Sequence, residues 1–155
     1  NDDAMFSFSN KLWIAGGYVS FISSTNMRGD LWSSSDNGAT WIQETAATGT
    51  DLMRFGHRVV SYGGKLYMMG GEKLDGSNRV GIMDVLSSVN GINWTSLPST
   101  LQLPVSFTTR IYPNVIMGNN DLIWIIGGFA GSMGNYTVNG LGMTAKYDVW
   151  TKRLK

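Results

Sequence analysis

The apolar residues of this chain fall in short bursts separated by glycine, asparagine, serine and aspartate. Asp3 to Gly17 reads DAMFSFSNKLWIAGG, His57 to Gly71 reads HRVVSYGGKLYMMGG, and Asn114 to Gly128 reads NVIMGNNDLIWIIGG. In each, one apolar run passes through a small or polar turn into a second run, which ends on a glycine pair. Short apolar runs bounded by turn residues predict strands. No helical periodicity of useful length is present.

The three segments are copies of one unit. Their glycine pairs end at Gly17, Gly71 and Gly128, so the unit recurs after 54 and then 57 residues. Within the second run Trp13, Tyr67 and Trp124 stand in register, as do Ile14, Met68 and Ile125. A second half follows each pair. It reads Asp30-Leu31-Trp32 through Trp41 in the first copy and Asp84-Val85-Leu86 through Trp94 in the second. In the third it is Asp148-Val149-Trp150-Thr151, four residues before the last.

Each full unit therefore predicts four strands. They are expected near Ala4–Phe8, Lys11–Ala15, Asp30–Ser34 and Thr40–Glu44, then near His57–Tyr62, Lys65–Met69, Gly81–Ser87 and Ile92–Ser96. The third unit offers Arg110–Met117, Leu122–Ile126 and Lys146–Thr151. Asn37-Gly38 and Asn90-Gly91 stand between the third and fourth strands, and Asn-Gly is a strong hairpin signal. The expected organisation is one all-β domain over residues 1–155, with repeats at about 1–47, 48–101 and 102–155.

A four-stranded unit with an apolar run ending in Gly-Gly and a tryptophan downstream resembles the kelch repeat, as in the central domain of galactose oxidase. That resemblance implies a β-propeller, with twisted four-stranded antiparallel blades arranged about a channel. Ser34-Ser35-Asp36-Asn37-Gly38-Ala39-Thr40-Trp41 also resembles the Asp-box, the S-x-D-x-G-x-T-W hairpin of sialidase-like propellers. In the second copy Val89 takes the place of a turn-binding side chain, while Asn90, Gly91 and Trp94 remain. In the families it resembles, this hairpin lies on the blade periphery, so its expected role is structural. Propellers have about four to eight blades. Three units, the last without a fourth strand, are therefore expected to be part of a longer protein or to complete a ring as a homo-oligomer.

Composition narrows the partners. The formal net charge is +1, from 12 basic and 11 acidic residues. The nearest approach to a charge run is Lys152, Arg153 and Lys155, so nucleic acid is not an expected partner. The stretch from Leu122 to Ala130 is too short and glycine-broken to insert into a membrane. Without cysteine there are no disulfides or thiolate ligands, and with one histidine there is no histidine cluster. A copper site of the galactose-oxidase type, which would want a cysteine and a second histidine, is excluded within this chain. No cofactor or metal is expected.

Five residues are candidates for a site. Arg54 and Arg110 each precede the first strand of their unit. Repeated arginines could ring a channel mouth and hold carboxylates, or could form structural ion pairs. His57 starts the first strand of the second unit, with Asp3 and Asn114 in its place in the others. It could act as an acid or base or simply bond a neighbouring turn. The third unit spaces its glycine pair from the following aspartate by 20 residues, against 13 in the others. Insertions on one face of a repeat protein often build the binding surface, and there Phe129 and Tyr136 could stack on a sugar or a partner side chain. Asn93-Trp94-Thr95 and Asn135-Tyr136-Thr137 match the glycosylation sequon, a short and weak motif.

The expected function is a non-catalytic module that binds or scaffolds a protein or glycan, outside the cell or on its surface. The alternative is the propeller part of a carbohydrate-active enzyme of sialidase-like or sialic-acid mutarotase-like type. It is motivated by the Asp-box-like hairpin and the repeated arginines.

Overall fold

Residues 3–19, 27–45, 52–75, 78–82, 84–98, 110–118, 121–130, 144–145 and 149–153 are described by the structure, a computed structural model. The first unit folds into β1 (Ala4–Phe8), β2 (Lys11–Ala15), β3 (Leu31–Ser34) and β4 (Ile42–Thr45), a four-stranded sheet in chain order. The second contributes β5 (Arg58–Tyr62), β6 (Lys65–Met69), β9 (Val85–Ser88) and β10 (Thr95–Ser96), again four strands in chain order. The third has β11 (Asn114–Met117), β12 (Leu122–Ile126) and β15 (Val149–Arg153). Every pairing is antiparallel.

The tight turns have a simple chemical basis. Ser9 and Asn10 between β1 and β2 both take positive φ, 51° and 58°, and Gly63 and Gly64 do the same between β5 and β6. Two consecutive left-handed residues make the hairpin turn whose twist matches that of the strands. Asn, Ser and Gly tolerate that region better than bulkier residues.

The sheets stack face to face, with β5 beside both β1 and β11. The first strands thus converge, while the later strands of each sheet lie further out. Alternation along the strands supplies both packing faces. Phe6, Phe8, Trp13, Ala15 and Leu31 meet Val59, Met68, Leu86 and Trp94 of the second sheet. On that sheet's other face Val60, Tyr62, Tyr67, Met69 and Val85 meet Val115, Met117, Ile123 and Ile125. Each large side chain so buried contributes about 2 kcal/mol. Trp13 anchors the first joint. It stacks on Phe6 at 6.2 Å and donates its indole N–H to the Phe8 carbonyl at 3.0 Å. Its outer edge lies against Gly91 of the second sheet, where a Cβ would come within 3.2 Å of the ring.

Two additional hairpins depart from the sequence expectation. The connections after the glycine pairs are ribbons, namely β7 (Glu72–Asp75) with β8 (Asn78–Gly81), and β13 (Phe129–Ala130) with β14 (Thr144–Ala145). The first unit has the start of one in a Tyr18–Met27 bridge. The strand expected from Gly81 to Ser87 is consequently two strands, β8 closing the ribbon and β9 returning to the sheet. The signal was the Gly76-Ser77 dipeptide between Leu74-Asp75 and Asn78-Arg79, a two-residue hairpin type with glycine first.

Candidate functional site

Each glycine pair ends its strand where the lead-in to the next blade crosses. The Gly17 amide donates to the Arg54 carbonyl at 2.9 Å, and the Gly71 amide donates to the Arg110 carbonyl at 2.8 Å. A Cβ on Gly16 would lie 2.6 Å from the Arg54 oxygen, and one on Gly71 would lie 2.6 Å from the Phe55 oxygen. Both glycines also hold positive φ, 65° and 90°. The pair is glycine because a neighbouring backbone occupies the space a side chain would need.

The lead-in segments carry three of the five candidate residues. Arg54 is 1% exposed. Its two terminal nitrogens donate to the two oxygens of Asp84 at 2.8 and 3.2 Å. This is a two-pronged pair inside one blade, tying the lead-in to the residue before β9. Arg110, 2% exposed, occupies the same place ahead of β11. Neither guanidinium faces open solvent.

His57 is fully buried, and neither ring nitrogen has a hydrogen-bond partner among the described residues. Its Cε1 lies 3.0 Å from where a Gly16 Cβ would stand, so the ring packs on the first blade's glycine pair. Burial, with the positive charges of Arg54 and Arg58, pushes its pKa down to about 3. It is a neutral ring buried at the joint of two blades. Its counterpart in the third blade is Pro113, not Asn114. Asn114 pairs with Ile126 twelve positions on, whereas Ala4 pairs with Ala15 and Arg58 with Met69 eleven on. The β11–β12 turn is one residue longer and shifts the count.

A second tier is built on these lead-ins. Phe55 and Glu72 exchange backbone hydrogen bonds at 3.1 and 3.0 Å, and Ile111 and Phe129 do so at 2.9 Å each way. Tyr18, Met27, Phe55 and Ile111 form its buried core. The ribbons thus rise beside one another from equivalent points. Phe129 sits at the foot of the third ribbon with 39% of its surface exposed. Tyr136 lies outside the described residues.

The turns at the opposite edge of the sheets are organised by acceptor side chains. Asp36 accepts from the Thr40 amide at 2.8 Å and from the Thr40 hydroxyl at 2.6 Å, and Ser34 accepts from the Gly38 amide at 2.8 Å. With Ser34 also donating to it at 2.7 Å, the Asp36 carboxyl is held at about 2, chiefly by the two bonds from Thr40. In the second blade Ser88 accepts from the Gly91 amide at 2.9 Å, and Asn90 accepts from the Ile92 and Asn93 amides at 3.0 and 2.9 Å. Asn90, two residues after its serine, does the work of Asp36. Val89 corresponds to Ser35 and replaces no turn-binding group. Both turns end in the same bond, from the Trp41 indole to Gly38 at 3.2 Å and from the Trp94 indole to Gly91 at 2.9 Å.

Among the described residues no group of histidines and acids is placed to hold a metal. A cleft of about 250 Å³ opens on the first blade, with Asp3, Asp30, Arg28, Tyr18 and Trp32 among its walls.

Antiparallel four-stranded sheets stacked face to face, with their first strands converging, define a β-propeller domain. The chain belongs to the DUF6242 beta propeller domain family, which it matches over residues 4–155. No curated protein matches it.

Proposed function

We propose that this chain is a non-catalytic propeller module, kelch-like in its repeat, which binds a protein or glycan through the tier of ribbons beyond its glycine pairs. The observation that carries the reading is the row of hairpins raised from equivalent positions, with Phe129 exposed on the third. A common scaffold that presents variable hairpins on one face is how repeat proteins make binding surfaces. The burial of Arg54, Arg110 and His57 weighs against the carbohydrate-active enzyme. That reading needs several arginines converging on an open pocket. The Ser34–Asp36–Thr40 hydrogen bonds support the Asp-box resemblance, and with it a peripheral, structural hairpin and a place outside the cell.

The outer faces of the first and third blades support ring closure with further blades, from a longer chain or a second copy. Met5 is 68% and Ile116 55% exposed, yet their counterparts Val59 and Val60 pack against neighbouring blades.

The test is a glycan-array and partner-binding screen with the wild type and with Phe129→Ala. Saturable binding that falls at least about tenfold in the variant, with unchanged circular dichroism, supports the reading. Turnover of a sialoside, or binding indifferent to Phe129, refutes it.

A further inference from the structure

Two blade joints are built alike but differ at one side chain. The Gly17 amide donates to the Arg54 carbonyl across the first joint, and the Gly71 amide donates to the Arg110 carbonyl across the second. At the position that follows, the first joint holds His57 and the second holds Pro113, both buried. Only the first of these can take up a proton.

The His57 ring has no place for that proton. A neutral imidazole carries one donor and one acceptor, and a protonated one carries two donors. Neither ring nitrogen has a hydrogen-bond partner among the described residues. The ring's Cε1 lies against Gly16 of blade one, while the residue's Cβ and amide lie over Gly71 of blade two. The elements packed around it carry six charged side chains among the described residues. Arg54 stands on the lead-in with its partner Asp84, and Arg58 begins β5. Asp3 and Asp30 flank the glycine pair of blade one, and Glu72 follows that of blade two. The charges that bear on the ring are those of Arg54 and Arg58, and both oppose a further cation. A buried imidazolium without an acceptor is costly, and the ring regains water by leaving Gly16.

That movement is separable from unfolding. The strand ladders lie within blades, whereas the blades meet through side-chain faces and lead-in bonds. In stacked repeats stability is approximately a sum of unit terms and neighbour terms, so a charge on this ring weighs on one joint. We infer that His57 is a pH latch on the joint between blades one and two: neutral, it lets the joint close, and protonated in mildly acid solution it opens that joint ahead of the rest of the domain. The latch is independent of what the ribbon face binds.

Amide hydrogen exchange of the whole chain, read at Gly17 and Gly71 at pH 7 and pH 5 and corrected for the intrinsic rates, tests this. The two amides report equivalent bonds across the two joints, so the second is the control for the first. Protection at Gly17 is expected to fall about twentyfold more than at Gly71, the factor for one histidine that titrates near 6.5 once exposed. In His57→Leu the two amides are expected to change together. The wild-type comparison decides the matter by itself if that variant does not fold. Equal falls at both amides in the wild type place proton uptake in global unfolding and overturn the inference. A divergence that persists in His57→Leu assigns it to another group and overturns the inference as well.

Discussion

His57 predicts an acid sensitivity that can be worked from its surroundings. In the folded chain its ring is buried against Gly16 with Arg54 and Arg58 nearby, and its pKa is pushed down to about 3. In the unfolded chain it titrates near its ordinary value of about 6.5. Below that pH the unfolded chain binds a proton that the folded chain refuses, so stability falls as pH falls. The loss runs from about pH 6.5 down to about 3 at roughly 1.4 kcal/mol per unit. From pH 7 to 5 it amounts to about 2 kcal/mol, set almost wholly by the unfolded value. The carboxylates held low by hydrogen bonds, Asp36 and Glu44, withdraw their support only in more acid solution, below their ordinary values of 3.8 and 4.5. His57 is the only histidine, so the window from pH 7 to 5 belongs to it. Urea unfolding followed by tryptophan fluorescence at the two pH values, for the wild type and His57→Leu, measures the effect. The wild type is expected to lose about 2 kcal/mol and the variant under about 0.5. Equal losses in both proteins would refute the buried, unprotonated histidine.

Three further outcomes follow from the same geometry. Gly71→Ala forces a Cβ to within 2.6 Å of the Phe55 oxygen at φ 90°, while Gly63→Ala at φ 56° meets nothing within 4 Å. Chemical denaturation should show a loss of about 3 kcal/mol or more for the first and about 1 for the second. In the Arg54–Asp84 pair the arginine side chain is 1% exposed and the aspartate 29%. Asp84→Ala removes the two-pronged acceptor from the buried guanidinium and should cost about 4 kcal/mol, against about 2 for Arg54→Met, which leaves behind a partly hydrated carboxylate. The reverse order would show that the carboxylate depends on the pair more than the guanidinium does. Asp36, held at about 2, should keep the Thr40 amide resonance nearly unchanged down to about pH 3. A midpoint near the ordinary 3.8 would mean the turn's bonds do not form in solution.

The strand pairs before the glycines were legible because two periodic signals coincide there, the apolar alternation and the turn residues. β1, β2, β6 and β12 have the expected limits. The later strands were less legible. β10 is short and exposed, held to β9 over Thr95 and Ser96, so little apolar alternation marked it. The ribbons were missed because they pair locally and carry no repeated apolar pattern; only Gly76-Ser77 announced one of them. The candidate site was legible in its residues but not in their roles. Arg54 and Arg110 repeat, and repetition alone does not distinguish a channel lining from a strut. The difference lies in Asp84, thirty residues away in sequence and 2.8 Å away in space. Counting from the glycine pair could not show that His57 and Pro113 share a place, because a one-residue change in a turn moved the frame.

That shared place shows how this repeat divides its constraints. The backbone of the lead-in is fixed, since its carbonyls receive the glycine amides and its path fills the space above them. The side chain after it is not fixed: Asp3, His57 and Pro113 occupy one position, with a carboxylate, an imidazole and an apolar ring. Proline can stand there because Pro113 has no amide to satisfy, and its ring is buried as His57 is. Aspartate remains tenable in the first blade because Asp3 is exposed beside an open cleft. The fold thus tolerates three chemistries at one point of its repeat. A titratable group placed there acts through its burial. Buried, as His57 is, it ties the joint between two blades to pH; exposed, as Asp3 is, it keeps its hydration. The same backbone therefore gives a stabilising joint in one blade and a charged recess in the next, without any change in the hydrogen bonds that hold the sheets together.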